Sequence, residues 1–320
     1  MDRLALHRIQ DPIRLLDAEA LGIGSEDAVS EHGSNRPDDP PLSSDDPRLA
    51  EVRQLLQTYG GVIFSGPPGT GKSWAASKIG SALAGDPDRV AFVQFHPSYQ
   101  YEDFIQGFVP NEDGDGFTMR AKVFLQMCID AAEDPDHTYV VVIDELSRAD
   151  PGRVFGEALT YVEHSKRGLE FILASGHAAV IPPNLVVLAT MNPLDRGVDE
   201  VDAAFERRFA KIAMDPDPAV LSEFLDRADV DEALRRRLRS FFGKVNAQAK
   251  RNPLSAVGHT FFIDVEDEQS LQRVWDYQLR FLFEKAYRLD PDGLAEVEAD
   301  WNRIFASAEN EEEPAEAAES

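Results

Sequence analysis

Short, unbroken apolar runs alternate with amphipathic stretches through the middle of the chain. Val62-Ile63-Phe64-Ser65 is one such run, standing before a glycine-rich loop. Residues 90–95, 139–143, 185–190 and 210–213 repeat the type. Continuous runs of this kind predict strands covered on both faces, as in a parallel sheet. Helical spacing predicts helices over 72–84, around 120–132, over 153–164 and over 201–208. Residues 169–173 and 177–181 read as a small hairpin around Ala174-Ser175-Gly176. From about Pro216 the strand signal stops, and helical patterns follow at 217–227, 231–249, 268–287 and 292–306. The pattern therefore predicts an α/β fold: a parallel sheet with helices on both faces, plus a smaller α-helical domain.

Composition adds the ends. Asp, Glu, Ser, Gly and Pro crowd the stretch before Pro47, and glutamate dominates after Ala308. Residues 1 to about 16 read as a short amphipathic segment, 17–47 as a linker or mobile arm, and the arm as a whole and the tail are expected to be largely disordered. The expected organisation is an acidic arm at 1–47, an α/β nucleotide-binding domain at 48–215, a helical lid at 216–307 and an acidic tail at 308–320. The 320 residues carry 32 basic and 58 acidic side chains, a formal net charge of −26. Such a balance disfavours non-specific nucleic-acid binding. No run is long enough to span a bilayer and no secretory signal opens the chain, so a cytoplasmic protein without membrane contact is expected. The single cysteine, Cys128, sits in an apolar stretch and reads as a core thiol.

Chemistry enters with Gly66-Pro67-Pro68-Gly69-Thr70-Gly71-Lys72-Ser73. This spacing fits a phosphate-binding loop, whose glycines turn backbone N–H groups toward phosphate oxygens. It follows a predicted strand and opens a predicted helix, as the motif requires. Lys72 is placed for the β- and γ-phosphates and Ser73 for Mg²⁺; Trp74 is counted with the nucleotide-binding residues. A second apolar strand ends in Asp144-Glu145. C-terminal strand ends line the ligand crevice of a parallel sheet. Asp144 there is a candidate Mg²⁺ ligand and Glu145 a candidate activator of the attacking water. Asn192 ends another buried strand, where it is a candidate partner for the γ-phosphate or that water. Arg207 and Arg208 lie at the end of the predicted short helix and are candidates for reaching the phosphates of a neighbouring subunit. The substrate is expected to be ATP (or GTP), with Mg²⁺.

The order of these motifs resembles the AAA+ ATPases, in particular the McrB-like branch near the MoxR and dynein-related group. Residues Phe95-His96-Pro97-Ser98-Tyr99-Gln100-Tyr101-Glu102-Asp103-Phe104 are similar to that branch's "FHPSYSYEDF", and Ile143 to Asp150 to its "IDEINRAD". Phe155-Gly156-Glu157, Glu163 to Gly168 and Gly258-His259-Thr260-Phe261-Phe262 follow in the expected places. The resemblance spans about 50–290. It implies a self-assembled ring, expected to be a hexamer, with a separate McrC-like or other effector chain and nucleic acid met, if at all, through that partner. It also makes Arg148, Asp195 and Arg196 nucleotide-site or interface groups. Where the branch has "MNTADRS", this chain has Met191-Asn192-Pro193-Leu194-Asp195-Arg196-Gly197. McrB uses GTP and most AAA+ relatives use ATP, so ATP is favoured here. The resemblance implies the motor subunit of a restriction or antiviral defence complex. The alternatives are a MoxR-like chaperone and an assembly scaffold without turnover.

Two further patterns are read structurally. Arg235-Arg236-Arg237-Leu238-Arg239 is expected to be a solvated helix face. The aromatics Trp275, Tyr277, Phe281, Phe283 and Tyr287 are expected to fill the helical domain's core.

Overall fold

The computed structural model describes residues 42–111, 116–194 and 202–305. Most of the expected arm, all of the region after Phe305, and Asp195 and Arg196 lie outside the described residues. In chain order the first elements are α1 (Pro47–Leu55), β1 (Gly61–Ser65), α2 (Lys72–Ala84), β2 (Val90–Gln94) and α3 (Tyr101–Phe104). Then come β3 (Gln106–Pro110), β4 (Phe117–Ala121), α4 (Val123–Glu133), β5 (Tyr139–Asp144), α5 (Pro151–Phe155) and α6 (Ala158–Val162). Next are β6 (Glu170–Ile172), β7 (Ala178–Val180), β8 (Leu185–Met191), α7 (Ala203–Glu206) and β9 (Phe209–Ala213). The helical part holds α8 (Pro218–Arg227), α9 (Glu232–Gln248), α10 (Glu268–Val274), α11 (Arg280–Ala286) and α12 (Pro291–Asn302).

Five strands form one sheet in the order β2-β5-β8-β1-β9. β2 pairs parallel with β5, and β5 parallel with β8. The apolar runs become the sheet's interior: Val140, Val141, Ile143, Val187, Leu188 and Ala189 are buried. Helix α2 lies on this layer through Gly80, where a side chain would begin only 3.0 Å from Val142 Cγ2. Contacts divide the described residues into two compact units. One comprises the residues up to Val62, Ser73–Ala189 and the residues preceding Lys211. The other comprises Ile63–Lys72, the residues from Thr190 and those from Lys211 onward.

The acidic residues are put to structural use. Asp46, Asp150, Asp202, Asp217, Asp231, Asp267 and Asp290 each stand at a helix N-cap with the side chain accepting a backbone N–H. A carboxylate there satisfies an orphan donor and complements the positive end of the helix.

Several expectations need correction. The helix placed around 120–132 begins at Val123, because Arg120 belongs to β4, paired with Gly107 of β3. The β3–β4 ribbon itself was not anticipated; its exposed Phe108 and Phe117 do not give a buried-strand pattern. The single helix expected over 153–164 is two short helices. Gly156 breaks it with φ +51, a value open to glycine, and a side chain there would meet the Tyr101 ring at 2.8 Å.

The aromatic stripe is only half core. Trp275, Phe283 and Tyr287 are buried, whereas Tyr277 and Phe281 are 75% and 52% exposed. Positions 275, 279, 283 and 287 recur every fourth residue and share the inner face; 277 and 281 fall opposite. The wider π-turn at Trp275–Leu279 joins α10 to α11. The core of the helical part is instead completed by Trp301, stacked on Trp275 at 4.7 Å, with Phe241 edge-on at 5.1 Å. The basic run on α9 meets acid within the chain: Arg235 pairs with Asp226 and Glu232, and Arg237 with Glu268.

Candidate functional site

The phosphate loop leaves β1 and runs into α2. Gly69 and Gly71 hold φ +76 and +78, the left-handed values that let successive N–H groups face one way. Lys72 Nζ donates to the Pro67 carbonyl at 2.8 Å, and Thr70 Oγ1 donates to the same oxygen at 3.0 Å. The Gly66 N–H donates to the Met191 carbonyl at 3.1 Å. A side chain at Gly69 would meet the Phe261 ring at 2.7 Å, and the Thr260 N–H donates to the Gly69 carbonyl at 2.9 Å. His259 is 7% exposed and its Nδ1 accepts the Asp217 N–H at 3.2 Å. Burial pushes its pKa down, partly opposed by Asp217. None of these contacts of the 258–261 segment was read from the sequence.

At the start of α2, Ser73 Oγ donates to Asp144 Oδ1 at 2.6 Å. The two candidate Mg²⁺ ligands thus meet across 71 positions of chain. A hydroxyl and a carboxylate are the hard oxygen donors Mg²⁺ takes, and it needs few of them because waters and phosphates complete its shell. Among the described residues no larger cluster of His, Cys, Asp or Glu could hold a metal. Glu145 follows at φ +56, a left-handed value that costs a non-glycine residue roughly 1–3 kcal/mol. Its Oε2 lies 3.6 Å from Arg148 Nε, so the Arg148 of the acidic motif is Glu145's ion-pair partner. The Trp74 ring carries the Arg48 guanidinium 5.3 Å from its centroid.

Asn192 directly follows β8 and is half-buried, with Oδ1 accepting the Leu194 N–H at 3.1 Å across Pro193. Arg207 is exposed and Arg208 is buried. Arg208 Nη1 donates to the Ala204 carbonyl, while its Nε has no hydrogen-bond partner among the described residues. Both arginines line a cavity of about 550 Å³ with Tyr59, Glu163, His164 and Lys166. The Glu163 carboxyl is held below its ordinary value first by the Ser165 hydroxyl, then by Lys166 and the two arginines, with desolvation opposing.

The remaining motif segments build structure. Phe95 and Phe104 sit edge-on at 5.6 Å, Phe104 meets Phe124 at 4.9 Å and Phe155 at 5.0 Å, and Phe155 meets Phe205 at 5.4 Å. Phe205 then stacks on Phe209 at 4.6 Å, so one aromatic series runs from the end of β2 to either side of the arginine pair. Arg167 is half-buried and donates to three carbonyls: Val162 at 2.9 Å, Leu185 at 3.0 Å and Gly60 at 2.6 Å. Burial lowers its pKa to about 10.

A glycine-rich loop between a buried strand and a helix, with a hydroxyl–carboxylate pair at the end of β5, defines a P-loop nucleotide-binding protein. Residues 61–209 match the AAA domain of the dynein-related subfamily, and the chain belongs to the McrB-like AAA+ proteins of that group. The chain is 34% identical over 243 residues to the EcoKMcrB subunit of the type IV methyl-directed restriction enzyme of Escherichia coli (strain K12). That match covers 71% of this chain and 52% of the relative. It is 26% identical over 204 residues to the YdiS component of the type II restriction enzyme BsuMI of Bacillus subtilis (strain 168), covering 51% and 59%. The chain therefore spans little more than half the length of these curated relatives. Among solved structures, an ATPase candidate from Cytophaga hutchinsonii aligns with TM-score 0.36 and 13% identity, over 71% of this chain and 82% of that one. Among the described residues no helix is long and apolar enough to cross a membrane.

Proposed function

We propose that the chain is a Mg²⁺-dependent nucleoside triphosphatase, using ATP in preference to GTP, that serves as the motor subunit of a multi-chain restriction or defence assembly. The observation that carries the nucleotide reading is the 2.6 Å Ser73–Asp144 pair at the end of the phosphate loop. Mg²⁺ held by these two oxygens would neutralise charge on the phosphates. Backbone N–H groups of 66–71 orient the triphosphate, and Lys72 exchanges its bond to the Pro67 carbonyl for a phosphate oxygen. Glu145 orients a water and takes its proton. Asn192 offers its amide nitrogen to the γ-phosphate or that water, and Trp74 borders the bound nucleotide. Arg207 and Arg208 act on the phosphates of a second copy, which requires a ring, taken here as a hexamer.

ATP is preferred because the residues after Asn192 depart from the McrB signature. The assembly role is supported by the two curated relatives, each a part of a restriction enzyme. The nuclease and DNA contacts would then belong to a McrC-like partner chain, in keeping with the net charge of −26. The working domain limits are 48–215 for the nucleotide-binding domain and 216–307 for the lid, in a cytoplasmic protein. The test is phosphate release by the wild type with ATP and with GTP, alone and with the partner. Faster release with ATP supports the reading; no release with either nucleotide contradicts the motor.

A further inference from the structure

Within its own compact unit, the phosphate loop is backed by the segment Gly258–Phe261. The fit is close: a side chain at Gly258 would collide with the Gly69 carbonyl carbon and oxygen. One step along, a side chain at Gly71 would begin 3.8 Å from His259 Nε2 and from Thr260 Cγ2. Because Nδ1 of His259 accepts the Asp217 N–H, the neutral ring carries its proton on Nε2. That N–H is a donor on a side chain only 7% exposed, and among the described residues it has no hydrogen-bond partner. Asp217 is also the N-cap of α8, its carboxylate accepting the Ala219 N–H at 2.7 Å. One imidazole therefore faces Gly71 with one nitrogen and anchors the start of α8 with the other.

We propose that His259 is a binding residue for the nucleotide. Its Nε2–H, which has no partner in the turn, donates to a phosphate oxygen received at Gly69–Gly71, and its Nδ1 ties that site to α8. Loading the loop is then felt at α8 through one rigid side chain. The inference rests on the reading of the loop as a triphosphate site.

The test uses the full chain, with equilibrium dialysis against a non-hydrolysable ATP analogue plus Mg²⁺ and thermal melting with and without it. His259→Asn keeps an oxygen where Nδ1 stands but removes the donor facing Gly71. It is expected to melt like the wild type without nucleotide, yet to bind about tenfold more weakly and lose most of the nucleotide-induced rise in Tm. In turnover assays KM rises while kcat stays within about twofold. His259→Gln places an amide N–H where Nε2–H stands and is expected to recover wild-type affinity. Wild-type affinity in His259→Asn overturns the proposal, as does a His259→Gln variant no better than it. If His259→Asn does not fold, His259→Gln decides alone: wild-type affinity supports the role and a tenfold loss overturns it. A wild-type chain that binds no nucleotide sinks the reading of the loop instead.

Discussion

Ser73 Oγ and Asp144 Oδ1 are 2.6 Å apart, although 71 residues separate them in sequence. The contact joins the first turn of α2 to the end of β5. Replacing Asp144 by Asn removes the charge but keeps the size. Nucleotide affinity with Mg²⁺ is expected to fall by about tenfold or more, while affinity without Mg²⁺ is unchanged. Dialysis with and without the metal checks this; an equal loss in both conditions argues against a metal role.

Arg167 is expected to matter for stability rather than chemistry. Its guanidinium satisfies three buried carbonyls at the ends of separate elements. Arg167→Met leaves them unpaired, and each buried unsatisfied group costs about 1–3 kcal/mol. Urea unfolding of the variant is expected to show a loss of several kcal/mol. A loss below about 1 kcal/mol contradicts the account.

Arg207 and Arg208 are expected to behave differently when truncated. Arg207 is exposed, so Arg207→Ala leaves stability within about 0.5 kcal/mol of wild type. Its turnover is expected to fall by orders of magnitude with nucleotide binding intact, as for an arginine acting on a neighbour's phosphates. Arg208→Ala also removes the bond to Ala204 and is expected to lower Tm as well. Turnover of mixtures is the check: adding Arg207→Ala to a Lys72→Ala chain should restore some activity, because the mixed ring pairs an intact loop with an intact arginine.

Much of this was legible in sequence, and the failures have physical causes. Helix α2 was placed at its observed bounds because a glycine loop starts it and an apolar face sustains it. β5 was legible from its β-branched run. The β3–β4 ribbon was not, because its outward aromatics and polar neighbours do not produce a buried run. The phosphate-loop residues, Asp144, Glu145, Asn192, Arg207 and Arg208 were named from their motifs, whereas Arg148 entered only through the family resemblance. His259 was seen only as part of a motif, because its two contacts, to Asp217 and toward Gly71, depend on tertiary packing. For Arg148 the sequence left a site role and a local salt bridge both open, and the structure shows the 3.6 Å ion pair with Glu145.

Cys128 supplies a pH test of the core. Burial raises its thiol pKa from 9.0 to about 12, with Arg167 pulling the other way. The folded state therefore holds the proton more tightly than the unfolded chain. The corresponding stability is intact below pH 9 and is lost as pH rises toward 12. Thiol labelling at pH 8 is expected to proceed at the unfolding rate in native buffer and at once in denaturant. Rapid labelling of the native chain contradicts the buried placement.

The central claim is hydrolysis at the acidic pair, and Glu145→Gln tests it most directly. The substitution keeps the volume and the backbone position but removes the proton acceptor. Steady-state phosphate release is expected to fall by about a hundredfold or more, with nucleotide binding as tight as in the wild type. Release at the wild-type rate from Glu145→Gln contradicts the account.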